Sequence, residues 1–218
     1  MDWHTWHRDY DRADSYLSRR LDAVQERIRL ALDACPPGPV RVISVCAGQG
    51  HDLMGVLPDH SRRDDVTARL VELDARNAAA AREHARAAGL RGIDVVVGDA
   101  SSTTHYADIA PADLVLVCGV LGNITDEDVE RVAAYCRQLC RRGGTLVWTR
   151  HRRPPDLVPR ICGWLEAEGF ERLWLSGPEA DFGVGAHRLA DEPRPLVPAR
   201  NMFTFVGYDV LRRAGTTG

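Results

Sequence analysis

The chain has 218 residues, a formal net charge of -3 and a hydrophobic share of 44%. That is enough apolar material for one core, which excludes a disordered or fibrous chain, and no run approaches the ~18 apolar residues of a membrane span. All 28 basic residues are arginine, which excludes any chemistry that needs a lysine Schiff base, a lysine general base or a phosphate-loop lysine.

The acidic balance argues against a nucleic-acid partner, because such affinity rests on neutralising phosphates. The opening stretch MDWHTWHRDYDRAD is polar and acidic, unlike a signal or transit peptide. Six cysteines occur without a CxxC pair, so reduced thiols in a cytoplasm are expected. Cys136 and Cys140 fall on one apolar helix face and read as core thiols. Trp3, Trp6 and Tyr10 with His4 and His7 form an aromatic and imidazole cluster before the first helix. It reads either as a packed arm or as a lid over a ligand; two histidines with no third ligand do not argue for a metal.

Leu17, Leu21, Val24, Ile28 and Ala31 recur at helical spacing, and Pro36-Pro37-Gly38 ends that helix. Val40 to Val45 reads as a buried strand running straight into Gly48-Gln49-Gly50, and His51 to Leu57 as a short helix. Val66 to Leu73 predicts a second strand, and Asp74 stands at the N-cap of an alanine-rich helix over Asn77 to Ala88. Ile93 to Val97 and Ala112 to Cys118 predict strands three and four. Thr125 opens a helix with Val129, Val132, Cys136 and Leu139 inward, stopped by Gly143-Gly144. Thr145 to Thr149 is a fifth strand and Asp156 to Glu168 a helix; Arg172 to Leu175 and Met202 to Val206 are two late strands. Short alternating strands and helices predict an α/β fold with a parallel sheet in one domain.

The segment Val42 to Asp52 carries the chemistry. Glycine after a buried strand lets a ligand approach the main chain, with turn N–H groups facing it. The second strand ends in Glu72-Leu73-Asp74 and the third in Gly98-Asp99-Ala100. An acid beside a glycine loop accepts from ribose hydroxyls, and ligands of open α/β sheets bind at these carboxyl ends. Glu72 is preferred to Asp74 for the ribose, since Asp74 has a capping task.

In order and spacing, VISVCAGQG, LVELDARN, VVGDAS, ADLVLVCG and GGTLVW resemble the class I S-adenosylmethionine-dependent methyltransferases. The resemblance implies a Rossmann-like, doubly wound, mostly parallel seven-stranded sheet with an antiparallel last strand and an N-terminal helical extension. LWLS and MFTFVG resemble the antiparallel end of that sheet. The resemblance divides the chain into residues 1–36, a helical arm or lid, and 37–218, a cofactor-binding sheet domain. It implies S-adenosylmethionine as cofactor, with Gly48 and Gly50 at its methionine part and Ala47 also binding the cofactor. Glu72 would hold the ribose and Asp99 the adenine amine; Leu73 and Ala100 would flank the adenine, and Cys118 the methionine end. Two positions depart from the family pattern: Cys46 stands where an acid is usual, and Asp52 at a third glycine position, where its carboxylate is placed to supply the missing charge.

The predicted activity is methyl transfer to oxygen, nitrogen or carbon of a small molecule. An RNA or protein methyltransferase, a non-catalytic cofactor binder and a dinucleotide-dependent enzyme remain alternatives; the loop lacks the third glycine of GxGxxG, and Asn123 lacks the two following prolines of adenine methyltransferases. Asn123 is a turn former or a substrate contact. His151, between Arg150 and Arg152-Arg153, is a base or part of a solvated basic loop, and those arginines suit an acidic substrate group. His187 and Tyr10 are the other catalytic candidates. Oligomeric state is left open.

Overall fold

A computed structural model of the chain describes residues 15–214. The cluster around His4, His7 and Tyr10 lies outside the described residues.

Helix α1 (Tyr16–Asp33) starts at Ser15, whose side chain accepts from the Ser18 N–H, and buries Leu17, Val24, Ile28, Ala31 and Leu32. After β1 (Val40–Val45) come the one-turn helix α2 (His51–Met54), β2 (Val66–Glu72) and α3 (Ala75–Ala87). Asp74 caps α3 by accepting from the Arg76 N–H at 2.8 Å. Strands β3 (Ile93–Val97) and β4 (Ala112–Val117) precede α4 (Asp126–Leu139), which Thr125 caps through the Asp128 N–H. Then follow β5 (Cys140–His151), α5 (Val158–Ala167), β6 (Phe170–Leu175), β7 (Phe182–Leu189) and a short α6 (Tyr208–Ala214).

The seven strands form one sheet in the order β3-β2-β1-β4-β5-β7-β6. β1 to β5 pair in parallel, and β7 runs antiparallel to both β5 and β6. One core, built around Val129, Cys136 and Ile161, lies under α4 and α5. The other, around Ile28, Leu53 and Ala81, lies under α1, α2 and α3. The strand order reverses between β1 and β4, so a crevice opens there at the carboxyl ends of both. No helix among the described residues is long and apolar enough to cross a membrane.

Two sequence expectations are corrected, and one helix was not foreseen. Met202 to Val206 is not a strand; the antiparallel strand is Phe182–Leu189. Its two glycines lower its strand propensity, yet packing requires them: a Cβ at Gly183 would overlap Val158, and one at Gly185 the ring of Trp148. Gly143-Gly144 does not stop α4, which ends at Leu139; the pair lies in β5, where the register against β4 shifts. A glycine with φ +77 at position 143 serves that irregularity. Finally, α6 carries no stripe long enough to announce itself.

Trp148 is fully buried. Gly185→Ala should therefore destabilise the protein by about 1–3 kcal/mol, the range for overpacking a filled core. Urea unfolding checks this; an unchanged midpoint would show that the ring can shift.

Candidate functional site: a cavity at the strand ends

The glycine loop leaves β1 through three left-handed residues, Cys46 (φ +53), Gly48 (φ +57) and Gly50 (φ +77). A Cβ on Gly50 would overlap Met54, so that glycine is needed on steric grounds as well. Cys46 was expected at the position of an acid. Its backbone is instead of the kind glycine favours, so the cysteine stands in a glycine's place and bears the strain of a left-handed side-chain residue. Burial pushes its thiol pKa up, and the Glu72 and Asp99 carboxylates push it further.

The loop is gripped on both sides. The Ala47 N–H donates to Val71 O at 3.0 Å and the Gly50 N–H to Ala47 O at 2.9 Å. The Gln49 side chain donates to Asn77 Oδ1 at 3.2 Å, and His84 Nδ1 contacts Gln49 O at 3.2 Å. Glu72, at the end of β2, is buried. Its Oε2 accepts from the Gly48 N–H at 2.9 Å and its Oε1 from the Asp74 N–H at 2.9 Å. A carboxylate offers about four lone-pair sites, so roughly half its capacity stays available to a ligand. Asp74 differs: both its oxygens bond Arg76, which holds its carboxyl down at about 2. Asp99 turns one oxygen to the Ser101 N–H at 2.9 Å.

These strand ends enclose a cavity of ≈ 400 Å³. Of the residues nominated from sequence, Ala47, Gly48, Asp52 and Glu72 line it, as do Leu73, Asp99, Ala100 and Cys118. Leu73 is 70% exposed at its rim. Gly50 is not among the lining residues; it caps α2. Asn123 reaches the cavity wall, but its side chain works on the fold. It donates to Gly119 O at 2.7 Å and accepts from the Tyr208 N–H at 2.9 Å, while its carbonyl accepts from Val206 and Gly207 at 2.9 Å each.

That clasp holds the segment misread as a strand. Thr204 N–H donates to Asp128 Oδ2 at 2.7 Å and Met202 N–H to Ser101 O at 2.8 Å. The segment thus crosses the loops after β3 and β4 and adds Phe203 and Phe205 to the cavity wall. Arg20 of α1, His51 and Asn77 are also part of the lining, and the sequence reading named none of them as site residues. Arg20 and the phenylalanines are remote in sequence from the strand ends, so no local pattern marks them.

His151 and His187 lie outside the cavity lining. His151 stacks edge-on against Tyr208, and its Nδ1 accepts from the Arg153 N–H at 3.3 Å, which leaves the neutral ring's proton on Nε2. Burial and the neighbouring Arg150 and Arg153 lower its pKa to about 4. His187 is 0% exposed within β7, and its Nδ1 accepts from the Trp148 indole at 3.1 Å. Burial first, then Arg172, lowers it to about 4. It was named from sequence as a catalytic candidate; it is a core residue inside β7.

Residues 42–148 match a protein family described as a methyltransferase domain. Among solved structures, an O-methyltransferase family protein from Burkholderia thailandensis is 17% identical with a TM-score of 0.63, covering 80% of this chain and 56% of its own. A TehB-like S-adenosylmethionine-dependent methyltransferase from Corynebacterium glutamicum is 18% identical with a TM-score of 0.55, covering 75% of this chain and 87% of its own. The [4+2]-cyclase SpnF is 17% identical with a TM-score of 0.60, covering 82% of each chain. The chain thus spans little more than half the length of the Burkholderia protein, and at these identities the likeness speaks for the fold. No curated protein sequence matches. The match to a methyltransferase domain over residues 42–148 and the strand order are those of the class I S-adenosylmethionine-dependent methyltransferase fold, a match that implies S-adenosylmethionine as the methyl donor.

A histidine lowered on folding stabilises the native state fully above its unfolded pKa of ~6.5. That stability is lost as pH falls toward the folded value of about 4. His187→Gln, which keeps an acceptor for Trp148, should flatten the loss of stability between pH ~6.5 and ~4. Urea midpoints across that window test it; an unaltered acid limb would show that His187 does not titrate on unfolding.

Proposed function

We propose that the cavity seats S-adenosylmethionine across the ends of β1 to β4 and that the methyl acceptor is a small molecule. The observation that carries the cofactor placement is the acid-rich lining: Asp52, Glu72, Asp74 and Asp99 against one arginine, Arg20, among the described lining residues. Such walls suit a cationic ligand with a diol. Glu72 would take the ribose hydroxyls with its spare lone pairs. Asp99 and the Ala100 N–H would read the adenine edge, with Leu73 against the ring. Gly48 and Cys118 would flank the methionine end.

When bound, S-adenosylmethionine supplies a methyl group activated on a sulfonium for in-line transfer to a nucleophile. The chain's residues supply position and field. The grip on Gln49 fixes the loop before any ligand arrives, and the clasped segment with Phe203 and Phe205 closes one wall against water. That enclosed apolar wall, and the acidic balance of the chain, favour a small acceptor over RNA or protein. Since His151 and His187 stand outside the cavity, an acceptor that loses its proton readily fits the site best.

Residues 1–36 are proposed as a helical arm over the sheet domain 37–218. α1 carries Arg20 into the lining, which supports a role for the N-terminal helix at this site. Six free thiols fit a reducing, cytoplasmic setting.

Calorimetry with S-adenosylhomocysteine and with NAD tests the cofactor placement: the first binds and the second does not, and binding of NAD alone overturns it. Glu72→Ala should weaken S-adenosylhomocysteine binding by about 1–3 kcal/mol, the cost of a lost buried partner. Unchanged affinity would remove Glu72 from the ribose. Deleting the first twelve residues should leave the circular dichroism spectrum intact and speed release of S-adenosylhomocysteine in stopped flow; an unaltered release rate refutes the lid.

A further inference from the structure

The end of β5 and the start of α6 meet beside Asn123 of the cavity wall. Asn123 holds the Tyr208 N–H at 2.9 Å, and the edge of the His151 ring faces Gly122, where an added Cβ would stand 3.4 Å from it. His151 packs edge-on against the Tyr208 ring with centroids 5.1 Å apart. Arg153 lies over the same ring, its guanidinium carbon 5.1 Å from the centroid, and its Nη1 donates to the Tyr208 hydroxyl at 2.5 Å. Tyr16 of α1 links this cluster to the cavity. Burial raises its phenol pKa, while Arg20 of the cavity lining and Arg153 both draw it down.

Three side chains of this cluster have donors to spare. The Tyr208 oxygen already accepts from Arg153, so its own proton is left to donate. His151 Nδ1 accepts from the Arg153 N–H, so the neutral ring carries its proton on Nε2. Arg153 keeps the rest of its five N–H donors, and no carboxylate among the described residues pairs with it. The acids nearby are engaged elsewhere. Asp156 takes Arg152 at 2.8 Å and the Val158 N–H at 3.0 Å, and Asp181 pairs with Arg19 at 3.9 Å. Asp209, next to Tyr208 in the chain, is exposed. Charged donors without a counter-charge match an oxyanion. Resting on the cofactor placement proposed above, we infer that Arg153, Tyr208 and His151 clamp an oxyanion of the methyl acceptor. The acceptor is then a small organic acid, a carboxylate or a phosphate, whose acidic group sits on this cluster while its nucleophilic atom enters the cavity. Charge keeps the two ligands apart: Asp52, Glu72 and Asp99 draw the cationic donor, and the arginine side draws the anionic acceptor.

Sulfonium analogues of S-adenosylmethionine can span both regions. In them an alkyl chain of increasing length replaces the methyl group and ends in a carboxylate, a phosphonate or a neutral carboxamide. Calorimetry on the full chain reads each affinity. At one or more lengths an acid should bind about tenfold more tightly than its carboxamide, the low end for a charge-assisted bond because Arg153 is exposed. A tighter carboxylate assigns a carboxylic acid acceptor and a tighter phosphonate a phosphate; either supports the clamp. Arg153→Gln should erase the preference for the acid, and Arg153→Lys should restore part of it, since it keeps the charge and loses the fork. Tyr208→Phe should reduce the preference about threefold. Thermal melting confirms that each variant is folded. An acid that ties with its carboxamide at every length, or a preference that survives Arg153→Gln, overturns the clamp and leaves the adenosyl site standing. If the parent protein binds neither the analogues nor S-adenosylhomocysteine, the cofactor placement falls and the clamp with it.

Discussion

The bond between Glu72 and the Gly48 N–H sets the geometry on which the site depends. Gly48 has no side chain to define its path, and it sits at φ +57 in the left-handed region. A carboxylate at the end of the adjacent strand supplies the missing constraint at 2.9 Å. Bonds to a charged acceptor are roughly twice as strong as neutral ones, and Glu72 is buried, so the tie is little weakened by solvent. Its other oxygen fixes the Asp74 N–H, and through it the start of α3. From that point Asn77 and His84 reach back to Gln49, so strand, loop and helix form a closed circuit of hydrogen bonds. The carboxylate that shapes the loop is also the one proposed to take the ribose hydroxyls.

The parts of the fold that were readable share a physical origin. Strands β1, β2 and β4 are buried along most of their length, so they are rich in Val, Ile and Leu. Their carboxyl ends are fixed by the turn residues that follow, and a parallel sheet puts all those ends on one edge. That is why Gly48, Glu72, Asp99 and Cys118 were identifiable from order alone. β7 obeys a different constraint. It must pass close to Trp148 and Val158, and the glycines that allow this erase the usual strand signature. Phe182–Leu189 therefore hid, while MFTFV, with its alternation of large apolar residues, presented a strand pattern. Its backbone donors go to Asn123, Asp128 and Ser101 in place of a ladder.

The residues missed in the cavity follow the same division. Arg20 reaches it because α1 packs across β4, β5 and β7, a placement set by Leu17, Val24 and Ile28 on the adjoining helix stripe. Phe205, 41% exposed, reaches it because Asn123 clasps the chain next to it. Neither side chain belongs to a motif. Both are delivered by packing between elements far apart in the sequence, and Asn123 itself changed meaning, from a possible substrate contact to the clasp of a wall.

The histidines show how burial governs chemistry. From sequence alone, a histidine near a strand end titrates close to neutrality and invites a role as base. At His151 the two flanking arginines and partial burial favour the neutral ring, and the Arg153 N–H occupies the nitrogen that would accept a proton. At His187 the indole of Trp148 does the same. The catalytic burden then shifts to the field of the cavity. With the cofactor seated as proposed, walls bearing Asp52, Glu72 and Asp99 attract a sulfonium more strongly than the neutral thioether left after transfer. The same carboxylates that gather the donor thus loosen their hold once its charge is gone, which favours exchange of spent cofactor without any base on the protein.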